Sequence, residues 1–311
     1  MKDSRAIASA WRTLRRYPGY FLMRSVARVD FVRNAVAGLQ TLTRGSLSGY
    51  LGTLARERSP FFADADPASI ADGLDRDGFA FGLTLPRKTV DMIVDFARSN
   101  PCFVDRDPAL GFLPAQIEQA REKLGRKFLL AQYFNLRTHL PVVAQLSQDP
   151  VLLGIAARYL RTPPTLVGVN LFWSYPAALS GDRHSYAAQM FHYDLDDFRF
   201  MKFFFYLLDV DSTTGPHVVV RATHRNKRHA AFGDRFKVRR YSDAEIVAAY
   251  GEQRVVSITG PAGMGFAEDT RCIHKGQTPT TRERLILQFQ YALNDWGIQH
   301  DDRDESELVM I

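Results

Sequence analysis

The chain has 311 residues, of which 46% are hydrophobic, 12% aromatic and 24% charged, which excludes a largely disordered or collagen-like polymer. No run approaches 18 uninterrupted apolar residues, so no membrane-spanning helix is expected, and two cysteines, Cys102 and Cys272, cannot build a disulfide framework. The net charge of +6 sits at one end: residues 1–58 hold eleven Lys/Arg against three Asp/Glu, leaving residues 59–311 at −2. That distribution, without patterned aromatics, argues against nucleic acid as a partner. The cysteine content points to a reducing, cytoplasmic setting.

The first sixty residues read as a basic helical extension. One helix is predicted over Ala6 to Leu14 and a longer one over Tyr20 to Leu42, separated by Pro18-Gly19. In the longer one Phe21, Leu22, Val26, Val29, Val32, Val36 and Leu39 approximate an apolar stripe, with Arg24, Arg28 and Arg33 on the other face. Arginines interrupt every apolar run, so the segment is no secretory signal; an Arg-rich, acid-poor organelle leader stays open. Two roles for residues 1–58 also stay open: packing on the core through the apolar face, or lying on an anionic membrane surface.

Residues 61–298 read as the main domain, helical in its first half. Asp66-Pro67 and Asp149-Pro150 each pair an N-cap with proline at the first helical position, predicting helices to Leu74 and over Pro150 to Leu160. Between them lie a short strand after Asp77-Gly78 and helices over Arg87 to Ser99, Pro114 to Leu124 and Leu140 to Ser147. After Pro163-Pro164 the texture turns to strands: Thr165 to Trp173, Ala188 to Phe191, Phe200 to Val210, His217 to Val220, Val255 to Ile258, Met264 to Phe266 and Arg284 to Leu293. One helix, Ser242 to Tyr250, interrupts them. Short strands with frequent Gly/Pro turns predict a β-barrel or sandwich core, within a mixed α+β fold. Residues 299–311 read as a solvated acidic tail.

Of eight histidines, His192 stands two residues from Asp194 at a strand end, where both side chains point the same way. His274 follows eighty residues on, between a short strand and a turn. Two histidines and a carboxylate on one face of an octahedron leave three positions open, the arrangement of mononuclear non-haem Fe(II) oxygenases. Ten residues further, Arg284 opens a strand. A keto-acid co-substrate such as 2-oxoglutarate fills two iron positions, and its far carboxylate suits a planar guanidinium. Arg282 has the same strand parity, but sits in the Thr280–Glu283 turn, so Arg284 is preferred. A second His-x-Asp, at His300, lacks this context. His217, Lys202 and Gln189 read equally as pocket or ordinary structural residues, and His224 as a turn residue.

These features resemble the phytanoyl-CoA dioxygenase family over roughly residues 64–297. The resemblance is carried by Asp77-Gly78-Phe79, Asp149-Pro150, Asn170–Trp173, His192/Asp194, the segment Asp209 to Arg225, and His274 followed by Arg284. It implies a double-stranded β-helix (cupin-like jelly roll) core flanked by helices, with Fe(II), 2-oxoglutarate and O2. His192, Asp194 and His274 would ligate iron, and Arg284 would bind 2-oxoglutarate. The chain departs from the family at Gly276, where a serine is frequent, and at Arg221-Ala222-Thr223-His224. The expected activity is hydroxylation of a small-molecule or lipid-like substrate, releasing succinate and CO2. Asp194 speaks against a halogenase, in which a small residue makes room for halide. The alternative is a cupin-type metal- or ligand-binding protein without oxygenase activity.

Overall fold

Strands buried on both faces read as unbroken apolar runs, and two such strands form the centre of this fold. The structure is a computed structural model that describes residues 14–176, 190–225, 227, 240–298 and 301–311. Strand β6 (Phe200–Tyr206) is buried at every position. It pairs with β11 (Arg284–Ala292) on one side and β9 (Met264–Glu268) on the other. Strands β1 (Phe79–Thr84), β5 (Thr165–Ser174), β4 (Leu130–Gln132), β2 (Cys102–Val104) and β3 (Gly111–Phe112) complete an eight-stranded sheet in the order β1-β9-β6-β11-β5-β4-β2-β3. A second sheet has the order β10 (His274–Gly276), β7 (His217–Val220), β8 (Val255–Ile258). All these strand pairs are antiparallel.

The two sheets face each other as a double-stranded β-helix. Side-chain alternation divides the large sheet into two surfaces. Phe204, Tyr206, Phe266 and Ile286 join Val219 and Ile258 of the small sheet in the core between the sheets. Phe203, Phe205, Leu285, Leu287 and Phe289 point the other way, into the core beneath the helices. Those helices include α4 (Pro67–Asp77), α5 (Arg87–Ser99) and α9 (Pro150–Leu160), with α6 (Ile117–Leu124), α7 (Leu136–His139) and α8 (Pro141–Leu146) between the last two. Asp66 and Asp149 cap α4 and α9 as their Asp-Pro signals predict, each carboxylate accepting from the amide two residues on.

The N-terminal helices depart from the sequence expectation. Instead of one helix there are two, α1 (Pro18–Val26) and α2 (Asp30–Thr43), broken at residues 27–29, followed by α3 (Leu47–Leu54). The break re-phases the apolar stripe. Tyr20, Met23, Ala27 and Ala37 pack into the core, whereas Leu22, Val29 and Leu39 are exposed. Arg33, expected on the polar face, is 4% exposed and paired with Asp30. Phe31 and Leu42 join Leu39 on the solvent side of α2. Among the described residues no helix is long and apolar enough to cross a membrane. The predicted helix over Ala6 to Leu14 lies largely outside the described residues.

The acidic C-terminal segment is docked rather than solvated. Met310 pairs with Gly111, the Gly111 amide donates to Val309, and Ile311 donates back to Gly111. Asn135 caps the same segment through the Asp301 carbonyl and the Arg303 amide and carbonyl. Backbone pairing to the free edge of β3 outweighs the solvation of the acids, which still face outward at Asp302, Asp304 and Glu307.

Between α4 and β1, Gly78 has φ +84°, and a Cβ there would run into the Cys272 sulfur and the His224 imidazole. Both the left-handed conformation and the contact require glycine. Gly78→Ala is therefore expected to cost about 2 kcal/mol or more in urea unfolding; a loss below about 0.5 kcal/mol would contradict this packing.

Candidate metal centre

His192 and His274 are direct partners across an antiparallel bridge. The His192 amide donates to the His274 carbonyl at 2.9 Å and the His274 amide returns the bond at 2.8 Å. This hydrogen-bonded pairing sets the two imidazoles side by side, with ring centroids 4.5 Å apart. Asp194, two residues along, is tied by its amide to the Thr270 carbonyl at 2.8 Å. Its Oδ1 lies 3.9 Å from His192 Nε2 and its Oδ2 3.9 Å from His274 Nε2. One potential ligand atom from each of the three falls within 4.8 Å of the others. The three residues separated by up to 82 positions in sequence are thus brought together.

The tautomers follow from the backbone. His192 Nδ1 lies 3.0 Å from the Met190 carbonyl and His274 Nδ1 2.9 Å from the Cys272 carbonyl. A carbonyl can only accept, so each Nδ1 carries the proton and each Nε2 presents its lone pair. Burial, then the neighbouring His192, pushes the His274 imidazole down to about 4, so it is neutral at physiological pH. Burial alone would raise the Asp194 carboxyl, but the Lys202 ammonium, then His274 and His192, outweigh it and keep it ionised. The donor set fits a divalent cation that takes nitrogen and oxygen ligands.

Lys202, from β6, is a site residue that its position in an apolar strand does not reveal. Its Nζ lies 2.6 Å from Asp194 Oδ2 and 3.3 Å from Asp196 Oδ2. Burial disfavours the charged amine, yet the two carboxylates hold it protonated. Lys202 thereby fixes the Asp194 carboxylate and leaves Oδ1 facing His192.

The three residues open into a cavity of about 1020 Å³ between the sheets. Arg284 lines it, 5% exposed. Its Nη1 donates to the Gly215 carbonyl and its Nη2 to Ser174 Oγ at 3.0 Å, while Nε has no acceptor. Arg282 lies outside the cavity lining, with an exposed side chain 3.7 Å from Asp211, so the structure separates the two arginines. Position 276 approaches Arg284: a Cβ at Gly276 would sit 3.5 Å from Nη2. Ser174, opposite Arg284 in register, offers a hydroxyl there from the neighbouring strand. Asn170 of β5 and Gln288 of β11 add polar groups, and Asp301 and Arg303 of the docked C-terminal segment complete part of the wall.

His217 lines the same cavity, stacked on His274 at 5.3 Å. Its Nε2 is 2.7 Å from Glu268 Oε2, although the alignment falls short of a regular hydrogen bond. Burial, then Arg284, pushes His217 down to about 3, and burial pushes Glu268 up to about 7. Below neutrality the pair is therefore a carboxylic acid facing a neutral imidazole. His224 is elsewhere, its ring between the Asp75 carbonyl and the Cys272 sulfur. Gln189 and His300 lie outside the described residues.

Beside the centre, the Asp269–Arg271 pair shapes the loop between β9 and β10. Arg271 grips the Asp269 carboxylate through Nε and Nη2, and Tyr159 donates to the same carboxylate at 2.5 Å. Burial would raise Asp269, but Arg271 more than reverses it. The loop's Thr270 and Cys272 carbonyls are the acceptors for Asp194 and His274.

Comparison with solved structures finds similar chains at low identity. The epimerase SnoN, in complex with Fe3+, alpha-ketoglutarate and nogalamycin RO, is 16% identical over 73% of this chain and 84% of that one, with TM-score 0.49. HygX from Streptomyces hygroscopicus, with nickel and 2-oxoglutarate bound, is 16% identical over 72% and 86%, with TM-score 0.49. AviO1 from Streptomyces viridochromogenes Tue57 is 18% identical over 74% and 96%, with TM-score 0.47. No protein-family model and no curated protein matches the chain.

The Glu268 carboxyl supplies a test of the buried pair in metal-free protein. The folded state keeps its proton up to about pH 7, whereas the unfolded chain releases it near 4.5. The native state therefore binds more protons across that window, and this group's contribution to stability falls as pH rises through it. Glu268→Gln cannot ionise, so its stability relative to wild type is expected to rise between pH 5 and 7.5, by up to about 3 kcal/mol. Thermal unfolding at both pH values measures this; a constant difference would contradict the neutral pair.

Proposed function

We propose that this chain is a non-haem Fe(II)- and 2-oxoglutarate-dependent dioxygenase of the phytanoyl-CoA dioxygenase kind. One observation carries the reading: two histidines and a carboxylate present ligand atoms to a cavity whose lining also includes a buried arginine with no carboxylate partner among the described residues. His192, Asp194 and His274 hold the metal. Arg284 receives the far carboxylate of 2-oxoglutarate, with Ser174 steadying the guanidinium. When bound, iron and the keto acid supply O2 activation, one oxygen atom ending in succinate and the other on a substrate C–H, with release of CO2.

This chain's own residues position and shield that chemistry. The backbone carbonyls of Met190 and Cys272 orient the imidazoles, and Lys202 prevents the Asp194 carboxylate from turning away. The cavity of about 1020 Å³ is at the upper end of the size of small-molecule sites. It has room for 2-oxoglutarate and a metabolite-sized substrate together. Asn170, Gln288 and Asp196 place polar groups where such a substrate would lie. The presence of Asp194 favours hydroxylation or a related oxidation over halogenation.

Two variants separate the metal from the co-substrate. Mixing the protein anaerobically with Fe(II) and 2-oxoglutarate is expected to produce a visible charge-transfer band. Asp194→Ala should lose the band and substrate-dependent succinate together. Arg284→Ala should retain Fe(II) binding but weaken 2-oxoglutarate by roughly 100-fold, the loss of a charge-assisted bidentate contact worth about 3 kcal/mol. Unchanged succinate formation by Asp194→Ala would overturn the assignment.

A further inference from the structure

A second cavity lies between the N-terminal helices and the β-core, with none of the triad or Arg284 in its lining. Its volume is about 360 Å³, and five arginines reach it from five separate segments. Arg33 comes from α2, Arg161 from the C-cap of α9, Arg199 from the residue before β6, Arg225 from beyond β7, and Arg271 from the loop after β9. Three have carboxylate partners: Arg33 with Asp30 at 2.6 Å, Arg271 with Asp269 at 2.5 Å, and Arg225 with Asp75. Arg161 and Arg199 have none among the described residues, and Arg199 lies over the Tyr159 ring, 5.8 Å from its centroid. The cluster therefore carries a net charge of +2 once its ion pairs are matched.

Two further features mark the cluster as a binding site rather than a set of surface charges. Arg33 is 96% buried, being 4% exposed, and its Nε has no acceptor. Gathering like charges is also costly: burial and the Arg271 charge both depress the Arg33 guanidinium, and burial, Arg271 and Arg161 depress Arg199. A dianion among them would relieve that repulsion and accept the unused N–H groups. Guanidinium forks match tetrahedral oxyanions bidentately.

We propose that this cavity binds a phosphate group, as a small phosphorylated compound or as the headgroup of an anionic lipid. The charge matches a phosphate dianion, and the volume accommodates the group with a small substituent. A lipid source has a structural opening, because α2 exposes Phe31, Leu39 and Leu42 on its solvent side while contributing Arg33 to the cavity. The site is independent of the proposed oxygenase activity, so its test does not depend on turnover.

Isothermal titration of inorganic pyrophosphate into the full chain at low salt is expected to show saturable binding. Arg161→Gln combined with Arg199→Gln should weaken it at least about tenfold, since each lost charge-assisted contact is worth roughly 1.5–3 kcal/mol. Arg87→Gln with Arg98→Gln removes two exposed arginines from α5 and should leave binding unchanged. Thermal unfolding checks that each variant folds; should the first pair not fold, Arg161→Gln alone, at an exposed position, carries the same comparison with a proportionate loss. No saturable binding to wild type, or equal weakening in both pairs, overturns the proposal. Co-sedimentation with phosphatidic acid vesicles then distinguishes the sources. Pelleting that requires Arg161 and Arg199 and is displaced by pyrophosphate supports a headgroup. Calorimetric binding without such pelleting supports a soluble phosphorylated compound.

Discussion

Two reciprocal backbone hydrogen bonds between His192 and His274 set the geometry on which the site depends. They make the residues opposite one another at the edge of the small sheet, so the imidazoles meet without any long side chain having to reach. Everything near them serves that register. Asp194 is placed by the Thr270 carbonyl, and His274 is oriented by the Cys272 carbonyl, both in a loop held by the buried Asp269–Arg271 clamp. The loop is tied to the helical layer as well, through Tyr159 of α9 on the Asp269 carboxylate and the Gly78 carbonyl on the Asp269 amide. A buried ion pair contributes less to net stability than to fixing one arrangement when its partners are saturated. Here it fixes the arrangement from which two of the three candidate ligands hang.

The parts of this architecture legible in the sequence are those set by local chemistry. Helix starts at Asp66-Pro67 and Asp149-Pro150 follow from capping preferences that act within one turn. Strands such as His217–Val220 and Val255–Ile258 came from β-branched runs between turns. What stayed hidden depended on distant partners. The short strands β2, β3 and β4 have too few residues for a periodic signal and exist through their neighbours. The extension breaks at residues 27–29, and the break lets Tyr20, Met23 and Ala27 before it and Arg33 and Ala37 after it all be buried. No stripe computed over a single straight helix could show that. The acidic segment looked solvated by composition, yet its backbone completes an edge.

At the candidate site the same division holds. The His-x-Asp spacing, the strand context and the later histidine were visible because one strand end and one turn supply them. Lys202 was ambiguous because a lysine within Phe-Met-Lys-Phe-Phe-Phe-Tyr reads equally well as a snorkelling surface residue. Its meaning depends on Asp194 and Asp196, which approach from a separate segment. Ser174 was hidden for a related reason: only the β5–β11 register puts it opposite Arg284.

The buried cations of the cavity are balanced unequally, and that asymmetry orders the space between them. Lys202 lies against two carboxylates, so the end of the cavity near the triad is electrostatically closed apart from the ligand atoms themselves. Arg284 is buried just as deeply, yet its contacts are a carbonyl and a hydroxyl, both neutral, and its Nε has no acceptor. Burial depresses the guanidinium without any carboxylate to offset it. Exchanging the two would be unfavourable: an anion beside Lys202 would face Asp194 and Asp196, whereas one beside Arg284 meets only positive charge and dipoles. This asymmetry supports the proposed orientation, in which an anionic group of the ligand would lie against Arg284. In the proposed reading a dicarboxylate keto acid would set its distal carboxylate on the arginine, leaving its keto-acid end for a metal held by the three side chains.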